Sequence, residues 1–222
     1  MGHPRRVFEP DTSLHVIRRG HNRCAIVHDD DDRAALLRNL QKASGEFGVS
    51  MHAFVVMSTH YHAVVTPRRQ HALSRMMKAV GERYVRYYNA RYDRLGTLWT
   101  GRYTAIVLTD ERYWLTCLRY VEQNPWRAKM VESPELYRWS SCRFHSLGEP
   151  SDWLVAHPVY LGLGATPQAR QQAYRAICGV ALTDDELSDQ RHPRKLVVVS
   201  KVSDVSDVSD VSDTTVDSDG GV

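Results

Sequence analysis

The chain has 222 residues, of which 42% are hydrophobic and 25% charged, a composition that suits one globular domain of ordinary size. No stretch approaches the roughly 20 apolar residues of a membrane-spanning helix, and the basic N-terminus lacks the apolar segment of a secretory signal. The sequence therefore predicts no membrane-spanning helix. Four cysteines without a C-x-x-C pair predict reduced thiols in a cytoplasmic protein.

The net charge of +3 is unevenly distributed along the chain. Residues 201–222 carry a net charge of −5, so the other 200 residues carry +8, and arginine outnumbers lysine among their cations. Guanidinium groups match phosphate oxygens two at a time, which favours a polyanionic partner without requiring one.

The first half of the chain predicts three strands and a helix. Residues 13–20 alternate in polarity and end in Gly, a pattern typical of a strand. Residues 29–48 predict a helix that opens with four aspartates, whose carboxylates cap free N–H groups. Residues 49–58 and 61–67 then predict two strands joined by a tight connection.

The next segments complete a recognisable order of elements. A long helix is predicted over residues 70–89 and a fourth strand over 96–108, bent at Gly101. Asp110 opens a further helix that Pro125 ends. The order β-α-β-β-α-β predicts an α+β fold, a ferredoxin-like split βαβ core with an antiparallel four-stranded sheet. The added helix, or a ligand, is expected on the open face of that sheet.

The pattern is weaker after Pro125. Residues 133–145 predict an extended segment anchored by aromatic side chains, and residues 167–178 predict a helix with Pro in its first turn. The end of the chain repeats the triplet VSD, which predicts a disordered acidic tail.

Two histidines stand one residue apart in the third predicted strand. Residues i and i+2 of a strand point to the same face, so the imidazoles of His60 and His62 can converge on one ion, while Tyr61 faces the core. Two surface histidines at a strand end explain the same pattern, and an isolated H-x-H favours that interpretation.

The helix after Asp110 carries a second candidate pair. Tyr120 and Asn124 lie one turn apart near the predicted helix end, where Pro125 disfavours helical backbone at the preceding residue. A tyrosine at the edge of the core and an asparagine C-cap are the structural alternatives.

Several segments together resemble the REP-associated tyrosine transposases, a branch of the IS200-like single-tyrosine HUH transposases. The resemblance covers residues 12–178 and rests on five segments: HYH at 60–62, LTCLRYVEQNPWRAKMV at 115–131, YRWSS at 137–141, LHVIRRGHNR at 14–23 and GTLWTGRYTAIVL at 96–108. The family's usual MPNH is MSTH here, and the hydroxyls of Ser58 and Thr59 can form a comparable turn.

This resemblance implies an enzyme that cleaves and joins single-stranded DNA next to hairpins. By the motif match, Tyr120 is the nucleophile that forms a 5′-phosphotyrosine, and His60, His62 and Asn124 hold Mg²⁺ or Mn²⁺. Gln123 competes with Asn124 for the third ligand but points about 100° away on the helix. The partner is single-stranded DNA with REP-like hairpins, and the protein is a monomer or homodimer.

The resemblance also suggests a domain division and DNA contacts. Residues 1–141 are expected to form the catalytic domain, 142–190 a helical C-terminal extension and 191–222 a disordered tail. The candidate DNA contacts lie on or beside strands: Arg18, Arg19, Arg23 and Arg102. Packing is the better explanation for Tyr84 and Tyr88.

Two other functions fit parts of the sequence. A catalytically silent module that binds single-stranded DNA or RNA would keep the basic surface without needing the histidines and Tyr120 together. A zinc hydrolase built on the H-x-H lacks a carboxylate or cysteine partner at suitable spacing.

Overall fold

A computed structural model describes residues 8–191 of the chain. The VSD tail predicted to be disordered lies outside the described residues, apart from Arg191 at its boundary. Four strands form one sheet in the order β2-β3-β1-β4, and every neighbouring pair is antiparallel. The strands are β1 Leu14–Arg19, β2 Val49–Val56, β3 His60–Pro67 and β4 Thr104–Val107.

Eight helices accompany the sheet within the described residues: α1 Asp30–Phe47, α2 Ala72–Arg91, α3 Glu111–Glu122, α4 Asn124–Arg127, α5 Cys142–Leu147, α6 Pro158–Leu161, α7 Pro167–Cys178 and α8 Asp184–Arg191. Two single turns of 3₁₀ helix lie at His21–Arg23 and Pro134–Leu136. The order of elements through β4 is that of the split βαβ unit, and the predicted α+β, ferredoxin-like fold is confirmed.

Aspartate side chains cap the N-termini of helices α1 and α3. The Asp29 carboxylate accepts from the backbone N–H of Asp32, and the Asp110 carboxylate accepts from that of Tyr113. Gly48 caps the C-terminus of α1, and its φ of 66° suits a residue without a Cβ atom. The aspartates therefore act as the N-terminal signals that the sequence predicts.

The sheet buries both of its faces, and the alternation of side chains decides which residues face which layer. One face packs against α1 and α2, where Val16 and Tyr61 join a large apolar core. The other face packs against α3, whose Trp114 and Leu118 join Val64 in a second core. The face that the sequence leaves open for a ligand or an added helix is thus covered by α3.

Two predicted boundaries are wrong. Strand β4 covers only Thr104–Val107, because Gly101 takes a left-handed φ of 75° and the segment before it forms turns around the buried Trp99. Pro125 does not follow a cap at Asn124: Gln123 caps α3, and Asn124 begins the separate turn α4 that contains the proline.

The chain after α4 forms further short elements, some of which pack against α3. Residues 133–145 are partly extended, as predicted, but they also contain a 3₁₀ turn and the start of α5. The helix predicted over residues 167–178 is confirmed as α7, capped by Thr166. Tyr174 and Cys178 of α7 pack in the same core as α3.

Among the helices of residues 8–191, none is both long enough and apolar enough to cross a bilayer.

Candidate active site

Strands β1 and β3 bring three imidazoles together on the face covered by α3. The register pairs Ile17 with His62 and Arg19 with His60, so His15 lies diagonally across from His62. The ring centroids of His60 and His62 are 5.0 Å apart, and those of His15 and His62 are 5.1 Å apart. The two HYH rings therefore lie close together on this face of the sheet.

Each HYH imidazole is hydrogen-bonded through its Nδ1 atom. The Nδ1 atom of His60 lies 3.0 Å from Thr59 Oγ1, and the Nδ1 atom of His62 lies 2.8 Å from His15 Nε2. The tight turn before His60 is closed by a bond from Met57 N–H to the His60 carbonyl. Both Nε2 atoms are left as the nitrogens that can bind a cation.

Burial keeps these imidazoles neutral. It lowers the pKa of His60 to about 4, assisted by the Arg19 guanidinium, and lowers the pKa of His15 to about 3. Burial, followed by the repulsion that His62 and His15 would have if both were protonated, holds the pKa of His62 well below its usual range. A neutral imidazole has the lone pair that a metal ligand needs, so the environment suits metal binding at neutral pH.

Helix α3 places Tyr120 against the histidines. Its ring centroid is 5.7 Å from that of His62 and 5.9 Å from that of His15, both in edge-to-face contact. The side chain is half-buried, whereas Trp114 on the same helix is buried in the core. The Tyr120 ring thus borders both the core and the surface.

Arg127 of α4 covers the Tyr120 ring. Its guanidinium carbon lies 4.9 Å from the ring centroid, and its charge contributes to the low pKa of His62. Its buried Nη1 atom has no hydrogen-bond partner among the described residues. Arg127 was not predicted from the sequence, although it lies about one helical turn beyond the predicted end of α3.

The two amides after Tyr120 face different surroundings. Asn124 is half-buried and donates from Nδ2 to the Tyr120 carbonyl, so its side-chain oxygen is the atom that can bind a cation. Gln123 is fully buried and donates to the carbonyls of Cys178 and Val180. The Gln123 amide nitrogen is therefore already hydrogen-bonded to the end of α7 and the residues that follow it.

The four arginines considered for DNA contact are not equivalent. Arg19 is exposed on β1, in register with His60, and Arg23 and Arg102 are also exposed. Arg18 points to the opposite face, donates to the Met77 carbonyl and stacks over Trp99. The packing interpretation of Tyr84 and Tyr88 holds, since both are buried.

A buried carboxylate anchors the end of α3. Glu122 is fully buried and accepts hydrogen bonds from Ser141 Oγ and Tyr174 Oη, each at 2.5 Å. His145 Nδ1 lies 2.8 Å from the same carboxylate. These contacts join the tyrosine-bearing helix to α5 and α7, a link that was not predicted from the sequence.

Two of the four free cysteines lie beside this carboxylate. The Sγ atoms of Cys142 and Cys178 and a Glu122 oxygen lie within 4.8 Å of one another. All three are atom types that can bind a metal ion. The Glu122 carboxylate already has three protein partners, which account for its burial without an ion. The group was missed because its members are 20 and 36 residues apart in the sequence.

Comparisons with known proteins agree with this architecture. The family described as "Transposase IS200 like" matches residues 10–124, just over half of the chain. No curated protein matches the sequence. Among solved structures, a REP-associated tyrosine transposase bound to a REP hairpin is 15% identical, with a TM-score of 0.57, and the match covers 72% of this chain and 93% of that one.

Two further solved structures match more weakly. A putative transposase from Deinococcus radiodurans is 18% identical with a TM-score of 0.39, covering 59% of this chain and 92% of that chain. A tRNA(His) guanylyltransferase from Saccharomyces cerevisiae is 11% identical with a TM-score of 0.40, covering 78% and 80%. The family match establishes that the chain belongs to the IS200-like transposases, and it shares its fold with a REP-associated tyrosine transposase.

Proposed function

We propose that the protein cleaves and rejoins single-stranded DNA through a covalent bond to Tyr120. The observation that carries this proposal is the contact between Tyr120 and His62, with ring centroids 5.7 Å apart. A tyrosine nucleophile beside a neutral imidazole that can bind a metal suits metal-assisted phosphoryl transfer.

We assign His60, His62 and Asn124 as the residues that hold the metal. The donor set fits a divalent cation, since both Nε2 atoms are available and Asn124 offers an amide oxygen. Mg²⁺ or Mn²⁺ bound there would polarise a non-bridging oxygen of the scissile phosphate and offset its developing negative charge. The remaining chemistry belongs to the protein and the DNA.

The Tyr120 Oη atom attacks the scissile phosphorus as its proton leaves. The bond from phosphorus to the 3′-oxygen breaks, and that oxygen takes up a proton to become a free 3′-OH. The new bond from Tyr120 Oη to phosphorus preserves the phosphodiester energy, so a second 3′-OH can reverse the step without ATP. No water has to be activated, and the site accordingly needs no carboxylate base.

The proposed substrate is single-stranded DNA beside a REP-like hairpin. The solved relative in complex with a REP hairpin supports this substrate class. Arg19, Arg23 and Arg102 are exposed and suit contacts with phosphates. We keep Arg18 as a weaker candidate, because its guanidinium already bonds to the Met77 carbonyl.

We further propose that residues 1–141 form the catalytic domain and residues 142–190 an extension that supports α3. The contacts of His145 and Tyr174 with Glu122 support this role of the extension, since Glu122 lies two residues beyond Tyr120. The protein is proposed to act in the cytoplasm as a monomer or homodimer.

A covalent-capture experiment tests the function. The protein is incubated with Mn²⁺ or Mg²⁺ and a labelled oligonucleotide that carries a hairpin and a single-stranded flank. We expect an SDS-stable adduct that disappears in Tyr120→Phe and with EDTA. Tyr113→Phe is the matched control, because Tyr113 is half-buried on the same helix and should keep the adduct.

The same experiment can contradict the proposal. If the wild-type protein binds several hairpin substrates without forming an adduct, it acts as a DNA- or RNA-binding module. Loss of DNA binding in Tyr120→Phe would mark Tyr120 as a structural or stacking residue.

A further inference from the structure

His15 is a buried imidazole that the proposed chemistry does not use directly. It is fully buried on β1, and its Nε2 atom lies 2.8 Å from His62 Nδ1. The two rings are nearly parallel, with an interplanar angle of 20°. The contact is short enough for a full hydrogen bond, so one of the two nitrogens carries the shared proton.

The position of that proton decides what His62 can do. A neutral imidazole carries one N–H, so His62 has a lone pair on Nε2 only when its proton is on Nδ1. The Nδ1–H group then donates to His15 Nε2, and neutral His15 must carry its own proton on Nδ1. With the reverse arrangement, His62 Nε2–H cannot bind a metal.

Within residues 8–191, His62 Nδ1 has no hydrogen-bond partner other than His15 Nε2. The hydrogen bond to His15 is buried, and the Tyr120 ring contacts the edges of both imidazoles. The other nitrogen of His15, Nδ1, is buried without a hydrogen-bond partner among the described residues. Buried polar atoms without a partner are rare in native proteins, so His15 Nδ1 needs an explanation beyond packing.

We propose that His15 is a positioning residue that selects the Nδ1–H tautomer of His62 and so directs the His62 Nε2 lone pair into the metal site. Metal-binding histidines commonly donate their second ring N–H to a fixed acceptor, which sets ring orientation. Here the acceptor is another imidazole on the neighbouring strand. The inference rests on the proposed role of His62 as a ligand.

Metal affinity tests the inference without measuring DNA cleavage. The free Mn²⁺ signal is titrated by electron paramagnetic resonance against wild type, His15→Leu and His15→Gln. Leucine offers no acceptor and should weaken Mn²⁺ binding by about 10- to 100-fold. Glutamine reaches a similar position with an amide oxygen, so it should retain most of the affinity.

His52→Leu is the matched control for folding. His52 is buried on the same face of the sheet and is hydrogen-bonded to Thr66 and to the Val155 carbonyl. Its replacement should destabilise the protein while leaving Mn²⁺ affinity unchanged. Equal Mn²⁺ affinity in folded His15→Leu and wild type would overturn the inference.

His62→Ala separates this failure from a failure of the proposed function. If His62→Ala leaves Mn²⁺ affinity unchanged, the metal assignment itself is wrong. If His62→Ala abolishes binding while His15→Leu does not, only the role of His15 is wrong.

Imidazole tautomers give a second readout that does not require a folded variant. Long-range ¹H–¹⁵N spectra of the wild-type protein with Mg²⁺ should show the Nδ1–H form for both His15 and His62. An Nε2–H form of His62 in the Mg²⁺-bound protein would contradict the inference.

Discussion

The Tyr120 ring meets the His62 imidazole edge to face, with an interplanar angle of 79° and centroids 5.7 Å apart. Helix α3 and strand β3 supply the two residues, and the α3 core residues Trp114 and Leu118 hold the helix on the sheet. Because the contact depends on helix packing as well as on the HYH strand, distant changes in the helical layer should affect the site.

Replacing Thr59 by Val should weaken the metal site. Valine keeps the shape of threonine but removes the hydroxyl that lies 3.0 Å from His60 Nδ1. Without that partner the His60 ring loses its fixed orientation, and we expect Mn²⁺ affinity to fall by about tenfold. Ser58→Ala, at the exposed neighbouring position, is the control and should bind Mn²⁺ normally.

Replacing Arg127 should slow adduct formation. The guanidinium 4.9 Å from the Tyr120 ring centroid contributes about 1 kcal/mol of attraction and helps to orient the phenol. Arg127→Gln should therefore lower the rate by roughly fivefold or more, and Arg127→Lys should recover only part of it, because an ammonium cannot stack as a plane. Single-turnover adduct formation measures both variants, and an unchanged rate in Arg127→Gln would count against this role.

Removing the charge of Glu122 should destabilise the fold. Its carboxylate accepts bonds from Ser141 and Tyr174 in a fully buried site, and a buried donor left without a partner costs about 1–3 kcal/mol. Urea unfolding of Glu122→Gln should show a loss of that size or more. The exposed Glu132 provides the control, since Glu132→Gln should leave the free energy of unfolding unchanged.

Acidification should destabilise the protein below about pH 6.5. Burial lowers the pKa of His52 to about 4, outweighing its bond to the Val155 carbonyl, while nearby positive charge on His157 lowers it further. Between pH 6.5 and 4 the unfolded state binds a proton that the folded state does not, so stability is complete above pH 6.5 and falls as the pH drops through this window.

Thermal unfolding from pH 7.5 to 4 measures this effect. His52 alone contributes up to roughly 3 kcal/mol across the window. In His52→Gln the dependence on pH should be smaller by about that amount, with the remainder due to the other buried histidines. A melting temperature that does not fall between pH 6.5 and 4.5 would contradict the prediction.

The periodicity of apolar residues predicts much of the fold, because it decides which side chains of a strand or helix are buried. The alternation in β3 places Tyr61 in one core and His62 on the opposite face, as expected from the sequence. The same alternation shows why Arg18 is a weak DNA candidate: it faces the α2 layer with Val16. Strand β4 could not be delimited, since a left-handed turn at Gly101 leaves no periodic signal.

Contacts between distant segments were harder to predict. His15 follows the strand alternation and faces the same layer as His62, but its bond to His62 depends on the register of β1 and β3. The Glu122 network depends on where α5 and α7 pack, which no spacing in the sequence encodes. The pairing of Tyr120 with the HYH histidines was suggested by family resemblance, and in the structure the Tyr120 ring contacts that of His62.

Mapping the covalent adduct tests the central claim most directly. Wild-type protein is allowed to react with a hairpin oligonucleotide and Mn²⁺, digested with nuclease and protease, and examined by mass spectrometry. The chain has 11 tyrosines, and we predict a nucleotide remnant on Tyr120 alone. A remnant on another tyrosine, or cleaved DNA without any protein-linked nucleotide, would contradict the account.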